Sequence, residues 1–177
     1  MDKPAGMTSH DVVARARRVL GERSIGHTGT LDPFATGLLV LLVGKGTRVA
    51  RFLDGLGKTY LATARLGQRT TTDDLTGEPV GPAHEGPLPT REAIAGALAG
   101  FLGVQSQTPP AYSARKQDGE RAYARARRGE VVELAPSEVT VYQAELLSVE
   151  GAEVTFRVTA RTSGSASGSS TPPRAPC

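Results

Sequence analysis

VTVYQAELLSVEGAEVTFRVT, residues 139–159, runs in β-branched and apolar residues on either side of a single break at Glu150-Gly151. It predicts two strands joined by a tight turn, a hairpin. Upstream, KTYLATARL, residues 58–66, sets Tyr60, Ala62, Ala64 and Leu66 against Leu61, Thr63 and Arg65, which is the period of a half-buried strand. Two helices are predicted as well. HDVVARARRVL, residues 10–20, has Ser9 before it as cap, Asp11 in its first turn, Val12, Val13, Ala16, Val19 and Leu20 on one face, and Gly21 just past its end. REAIAGALAGFLG, residues 91–103, is opened by Thr90 and closed by Gly103. Residues 38–43 read as a short strand buried on both faces, residues 47–53 as a helical turn or two, and the polar residues 67–89 as a surface loop. Strands and helices interleave without strict alternation, so the expected fold class is α+β with a largely antiparallel sheet.

Composition sets outer bounds. With 177 residues, 38% of them apolar, the chain suits one compact domain, placed at residues 1–160. The stretch TSGSASGSSTPPRAPC offers nothing to bury, so residues 161–177 are expected to form a disordered tail. Lys plus Arg outnumber Asp plus Glu by 21 to 18, a balance compatible with a polyanionic partner. The single cysteine, Cys177, excludes a disulfide framework or a Cys-rich zinc site within one chain. The longest aliphatic run, residues 38–43, is too short to cross a bilayer, and MDKPAGMTSH lacks the apolar core of a signal peptide. A soluble cytoplasmic protein is expected.

The chemistry centres on GHTGTLDPFATGLLVLL, residues 26–42. Asp32 before Pro33 matches a helix opening, with Asp as cap and Pro at the first helical position. The neighbours support another role. Gly26, Gly29 and Gly37 let backbone approach a ligand, His27 and Thr28 supply polar groups, and the aliphatic run behind them can hold the loop still, as a positioned nucleophile requires. Arg15, Arg17 and Arg18 on the first helix fit either a solvated face or a phosphate contact. Asp73 and Asp74 in TTTDD make a poor metal site without further ligands, and a solvated or loop-capping role is expected of them.

DKPAGMTSHDVV, GHTGTLDPFATGLLVL, KTYLATARLGQRTTTDD and TPPAYSARKQDGERAYARARRG occur here in one order. In this the chain resembles the TruB family, bacterial tRNA pseudouridine synthases that isomerise the uridine at position 55 of the T arm, over residues 2 to about 159. The resemblance implies a pseudouridine synthase fold, with Asp32 as a nucleophile attacking either the base or the ribose. It further implies Tyr60 against the extruded base and His27 in the space the base leaves. Lys3 and Pro4, with Gly29, Thr30 and Leu31, match positions that support the catalytic loop. RKQDGERAYARARR, residues 115–128, looks like the family's RNA-gripping thumb, with Arg115, Lys116, Arg121, Arg125, Arg127 and Arg128 as its basic residues and Tyr123 available for stacking. A tRNA T arm is the implied partner of a monomeric enzyme, with no metal and no organic cofactor. The chain departs from the family pattern at residues 160–168, where ARTSGSASG stands in place of G-T-Y-[IV]-R. The family's aspartate-pairing arginine is therefore not carried onto Arg161. Without that motif the catalytic domain is expected to be incomplete, a PUA-type domain of the kind that often follows is expected to be absent, and an RNA-binding remnant is the alternative reading.

Overall fold

A computed structural model describes residues 1–53, 55–107, 116–117, 120–121 and 136–163. In chain order the elements are β1 (Asp2–Lys3), α1 (Ser9–Leu20), β2 (Ile25–Thr28), β3 (Gly37–Leu38), β4 (Val40–Val43), a 3₁₀ helix (Gly44–Val49) and α2 (Ala50–Leu53). There follow β5 (Lys58–Arg65), β6 (Arg69–Thr70), β7 (Pro79–Val80), α3 (Arg91–Ala99), β8 (Gly103–Gln107), β9 (Lys116–Gln117), β10 (Glu120–Arg121), β11 (Ser137–Glu150) and β12 (Glu153–Ser163). The chain divides into two compact units, and their described parts fall at residues 1–56 and at residues 57–107 with 136–163. Residues 116–117 and 120–121 group with the first unit.

The second unit is built on a four-stranded sheet in the order β5-β12-β11-β8, antiparallel at every pairing. Its centre is the predicted hairpin, with Glu150 opposite Glu153 at the turn. Val139, Val141 and Val158 form the buried cluster, and Tyr60, Ala144, Phe156 and Ala160 pack against it. Burying each such valine contributes roughly 1.5–3 kcal/mol. A register shift between Val141 and Gln143 lets Ala144 join the inward row that Val139 and Val141 begin. β5 alternates as its sequence predicts, with Tyr60, Ala62 and Ala64 half-buried and Thr59, Leu61, Thr63 and Arg65 exposed. On the exposed side, cross-strand hydroxyl pairs link Thr59 to Thr159 at 2.9 Å and Thr63 to Thr155 at 3.0 Å, and Arg157 meets Glu145 at 2.7 Å. α3, capped by the Thr90 side chain, lies against β11 and buries Ile94. It ends at Gly100, three residues before Gly103, which instead opens β8 with a φ of 94°. The loop at residues 67–89 contains a two-stranded ribbon, β6 with β7.

In the first unit α1 packs on β2, and β2 pairs antiparallel with β4, Ile25 opposite Val43 and His27 opposite Leu41. β1 pairs with β3, Lys3 opposite Gly37. Three expectations are corrected here. The cap of α1 is Thr8, not Ser9: Thr8 Oγ1 accepts from the Asp11 N–H at 3.1 Å while Asp11 Oδ2 accepts from the Thr8 N–H at 2.8 Å, a reciprocal capping box. Of the apolar face only Val12 and Val13 are buried, whereas Val19 and Leu20 in the last turn are exposed. Residues 38–43 are not one strand buried on both faces. The run pairs with two different strands, its start with β1 and its end with β2, so β3 and β4 are separate; Leu39 and Leu42 are buried and Leu38 is 76% exposed.

Candidate active site

Asp32 lies in the connection between β2 and β3, and no helix follows it. Residues 33–34 form a turn in which the Ala35 N–H donates to the Asp32 carbonyl at 3.0 Å. The helix-cap reading is thereby excluded. Asp32 itself is half-buried.

The residues on either side of Asp32 are each tied to another part of the unit. Before it, Leu31 is held by Ser9: the Leu31 N–H donates to Ser9 Oγ at 3.0 Å, and Ser9 Oγ donates to the Leu31 carbonyl at 3.2 Å. After it, the Pro33 carbonyl accepts from the Gly6 N–H at 2.8 Å and from Lys3 Nζ at 3.2 Å. Lys3 is fully buried, and its ammonium also donates to the Pro4 carbonyl at 3.0 Å and the Met7 carbonyl at 2.7 Å. Three carbonyls thus use the three N–H donors of the ammonium, which is what lets a cation stay in the interior. Pro4 contributes through its carbonyl, and its ring is exposed.

His27 ends the other side of the loop. Its Nδ1 stands 2.9 Å from the Gly29 carbonyl, and a carbonyl can only accept, so Nδ1 is the donor of this bond. Gly29 has a φ of 75°, a left-handed conformation that turns its carbonyl back toward the ring and that a side chain would strain. Thr30 is half-buried beside them. His10, from the first turn of α1, meets the His27 ring edge to face, centroids 5.7 Å apart and planes at 80°.

One unit therefore brings together Lys3, Pro4, His27, Gly29, Thr30, Leu31 and Asp32. Tyr60 belongs to the second unit, where it packs against the valine cluster on the inward side of β5. Ser9 and His10 went unread as site residues. The signal for Ser9 was its spacing: it stands three and four residues before Val12 and Val13, so it shares their buried face, and it is 1% exposed. Arg17 is engaged locally, its Nη2 donating to the Ile25 carbonyl at 2.8 Å. Of the expected thumb, only the backbone pairing of residues 116–117 with residues 120–121 is described, Arg121 opposite Lys116. Arg115, Arg125, Arg127 and Arg128 lie outside the described residues.

Asp74 takes the loop-capping role: Thr72 Oγ1, the Thr76 N–H and Thr76 Oγ1 donate to its Oδ1 at 2.7, 2.8 and 2.6 Å. Burial pushes its carboxyl up, but these bonds and one from the Gly77 N–H outweigh burial and hold its pKa below the ordinary value. Among the described residues, no three His, Cys, Asp or Glu side chains gather to hold a metal ion, and no helix is long and apolar enough to cross a membrane.

Residues 17–164 match the model of the TruB family pseudouridylate synthases, N-terminal domain. The chain belongs to the TruB family. It is 54% identical over 143 residues to the tRNA pseudouridine synthase B of Thermobifida fusca strain YX, a match covering 81% of this chain and 48% of that protein. To the tRNA pseudouridine synthase B of Arthrobacter sp. strain FB24 it is 50% identical over 149 residues, 84% of this chain and 48% of the relative. To that of Thermotoga maritima it is 46% identical over 156 residues, 88% and 50%. The chain thus spans about half the length of the curated relatives it matches. Among solved structures, it is similar to a Cbf5-Nop10-Gar1 complex, with a TM-score of 0.64 and 29% identity over 98% of this chain and 40% of that one. An H/ACA RNP bound to a substrate RNA containing 2'-deoxyuridine gives a TM-score of 0.60 and 28% identity over 93% and 37%. The TruB-family fold is therefore the α+β pseudouridine synthase fold.

Proposed function

We propose that this protein isomerises uridine to pseudouridine in tRNA, at position 55 of the T arm, with Asp32 as the nucleophile. The observation that supports this most is the restraint on Asp32: both neighbours are tied, Leu31 to Ser9 and Pro33 to Lys3 and Gly6, while the aspartate caps no helix. A carboxylate held this way suits covalent catalysis, which needs a nucleophile placed before the substrate arrives. Attack falls on the base or on the ribose.

The net reaction breaks the N1–C1′ bond of the nucleotide and forms C5–C1′. N1 ends with a proton and the proton of C5 leaves to solvent. No electrons are exchanged, so the isomerisation calls for no redox cofactor. Because the reacting atoms lie inside a stacked loop, the nucleotide is extruded first. His27 fills the space it leaves, and Tyr60 stacks on the extruded base. Arg115, Lys116, Arg121, Arg125, Arg127 and Arg128 neutralise phosphates of the T arm. The protein works as a monomer in the cytoplasm.

The chemistry itself provides the test. A T-arm stem-loop carrying tritium at C5 of the target uridine is incubated with the chain, and tritium released to water is counted. Release that stops when the target is replaced by cytidine is the expected result. Salt-sensitive binding with no release overturns the proposal and leaves an RNA-binding protein without the chemistry.

A further inference from the structure

Two consecutive residues in the first turn of α1 hold the two sides of the loop that leads to Asp32. Ser9 exchanges hydrogen bonds with Leu31, and His10 lies edge to face with His27, centroids 5.7 Å apart at 80°. The Gly29 carbonyl at 2.9 Å fixes one point on the His27 ring, its Nδ1. A single hydrogen bond leaves an imidazole free to swing about its own χ angles, and His27 is only half-buried. His10 supplies the second point of contact. It stands on a turn that is itself fixed, by the Thr8–Asp11 capping box and by the buried Ser9 hydroxyl. Edge-to-face contact of this kind favours one rotamer severalfold.

We propose that His10 is a positioning residue: it holds the His27 imidazole in the orientation, with Nδ1 donating to the Gly29 carbonyl, in which the ring enters the space of the extruded nucleotide. The proposal rests on the reading of His27 given above, and two measurements separate the two. The variants are His10→Ala, which removes the ring, and His10→Phe, which keeps a ring edge but no titratable nitrogen. His10 is exposed, so neither disturbs a packed core.

The first measurement is ¹⁵N imidazole NMR on the RNA-free chain. In the unaltered protein His27 is expected as the Nδ1–H tautomer, and His10→Ala shifts it to a mixture of both tautomers while His10→Phe does not. The second uses a T-arm stem-loop with 2-aminopurine next to the target uridine, whose fluorescence rises when the stack opens. His10→Ala slows that rise about tenfold with RNA affinity unchanged within about twofold, and His10→Phe recovers most of the rate. An unaltered His27 tautomer in His10→Ala, or equal slowing in both variants, overturns the proposal. If the tautomer shifts as stated but even the unaltered chain opens no stack, the positioning stands and the proposed reaction fails. If the stack opens at the same rate in every variant, the reaction stands and the positioning role fails.

Discussion

Lys3 shows how one buried residue can set a distant one in place. It is 34 positions from Gly37 in sequence, yet it pairs with it in β1 and β3, and its ammonium reaches the carbonyl next to Asp32. Replacing it by methionine keeps most of the volume but removes the donor to the part-buried Pro4 and Met7 carbonyls; the Pro33 carbonyl keeps the Gly6 N–H. Losing charge-assisted bonds to part-buried carbonyls costs about 1.5–3 kcal/mol. Lys3→Met is therefore expected to lower the urea midpoint of the chain and, in whatever fraction stays folded, to reduce turnover, since the Pro33 side of the loop loses one of its two anchors. A midpoint unchanged from the unaltered protein contradicts this account. The importance of Lys3 followed from family likeness, not from its residue type, because lysine is almost never fully buried and nothing local marks this one. Asp32 was legible from its surroundings: glycines, polar residues and a stiff aliphatic run. The tie from Ser9 to Leu31 was harder to foresee, because it joins residues 22 apart.

Elements whose signals are local were read well. The turn after Glu150, the alternation of β5 and the left-handed Gly21 closing α1 all stand where the residues put them. Elements whose burial depends on what packs over them were not. Val19 and Leu20 extend the apolar spacing of α1 into a last turn that stays exposed, and residues 38–43 look uniformly apolar although only Leu39 and Leu42 are buried. The α1 cap predicts a further effect. Thr8→Ala removes one half of the capping box, a loss of about 1 kcal/mol. It should also slow catalysis, because the same turn carries Ser9 and His10; a lowered melting temperature with undiminished rate contradicts that link. Three carboxyls give the chain an acid dependence. Asp11, held low by the Thr8 side chain and backbone, Glu92, held low by its own backbone N–H and the Thr90 side chain, and Asp74 all titrate below their ordinary values. A depressed native pKa contributes stability that is complete above the unfolded value and lost as pH falls through the native one. Urea midpoints should therefore hold near neutrality and drop below about pH 4. In Asp74→Asn part of that slope disappears, and a slope identical to the unaltered protein's argues against the Asp74 network as its source.

At the scale of the molecule, the four ordered motifs are enough to identify the family. What the residues could not show was the division into two units, which depends on contacts between segments far apart in sequence. RNA affinity is expected to come from the basic stretch at residues 115–128. If its six cations each neutralise one phosphate, raising salt from roughly 50 to 200 mM weakens T-arm binding about a thousandfold. Replacing Arg125, Arg127 and Arg128 together by serine should flatten the plot of log affinity against log salt by about three. An unchanged slope places the RNA contacts elsewhere. The central claim is that Asp32 is a reagent and not a structural residue, and Asp32→Asn tests it most directly. Its single-turnover rate of pseudouridine formation on the T-arm stem-loop is measured beside its urea midpoint. The account predicts a rate at least about 10⁴-fold lower, because an amide cannot replace the nucleophile, with a midpoint close to that of the unaltered chain, because no helix is uncapped. A rate that survives the substitution, or one that falls only as far as the protein unfolds, contradicts it.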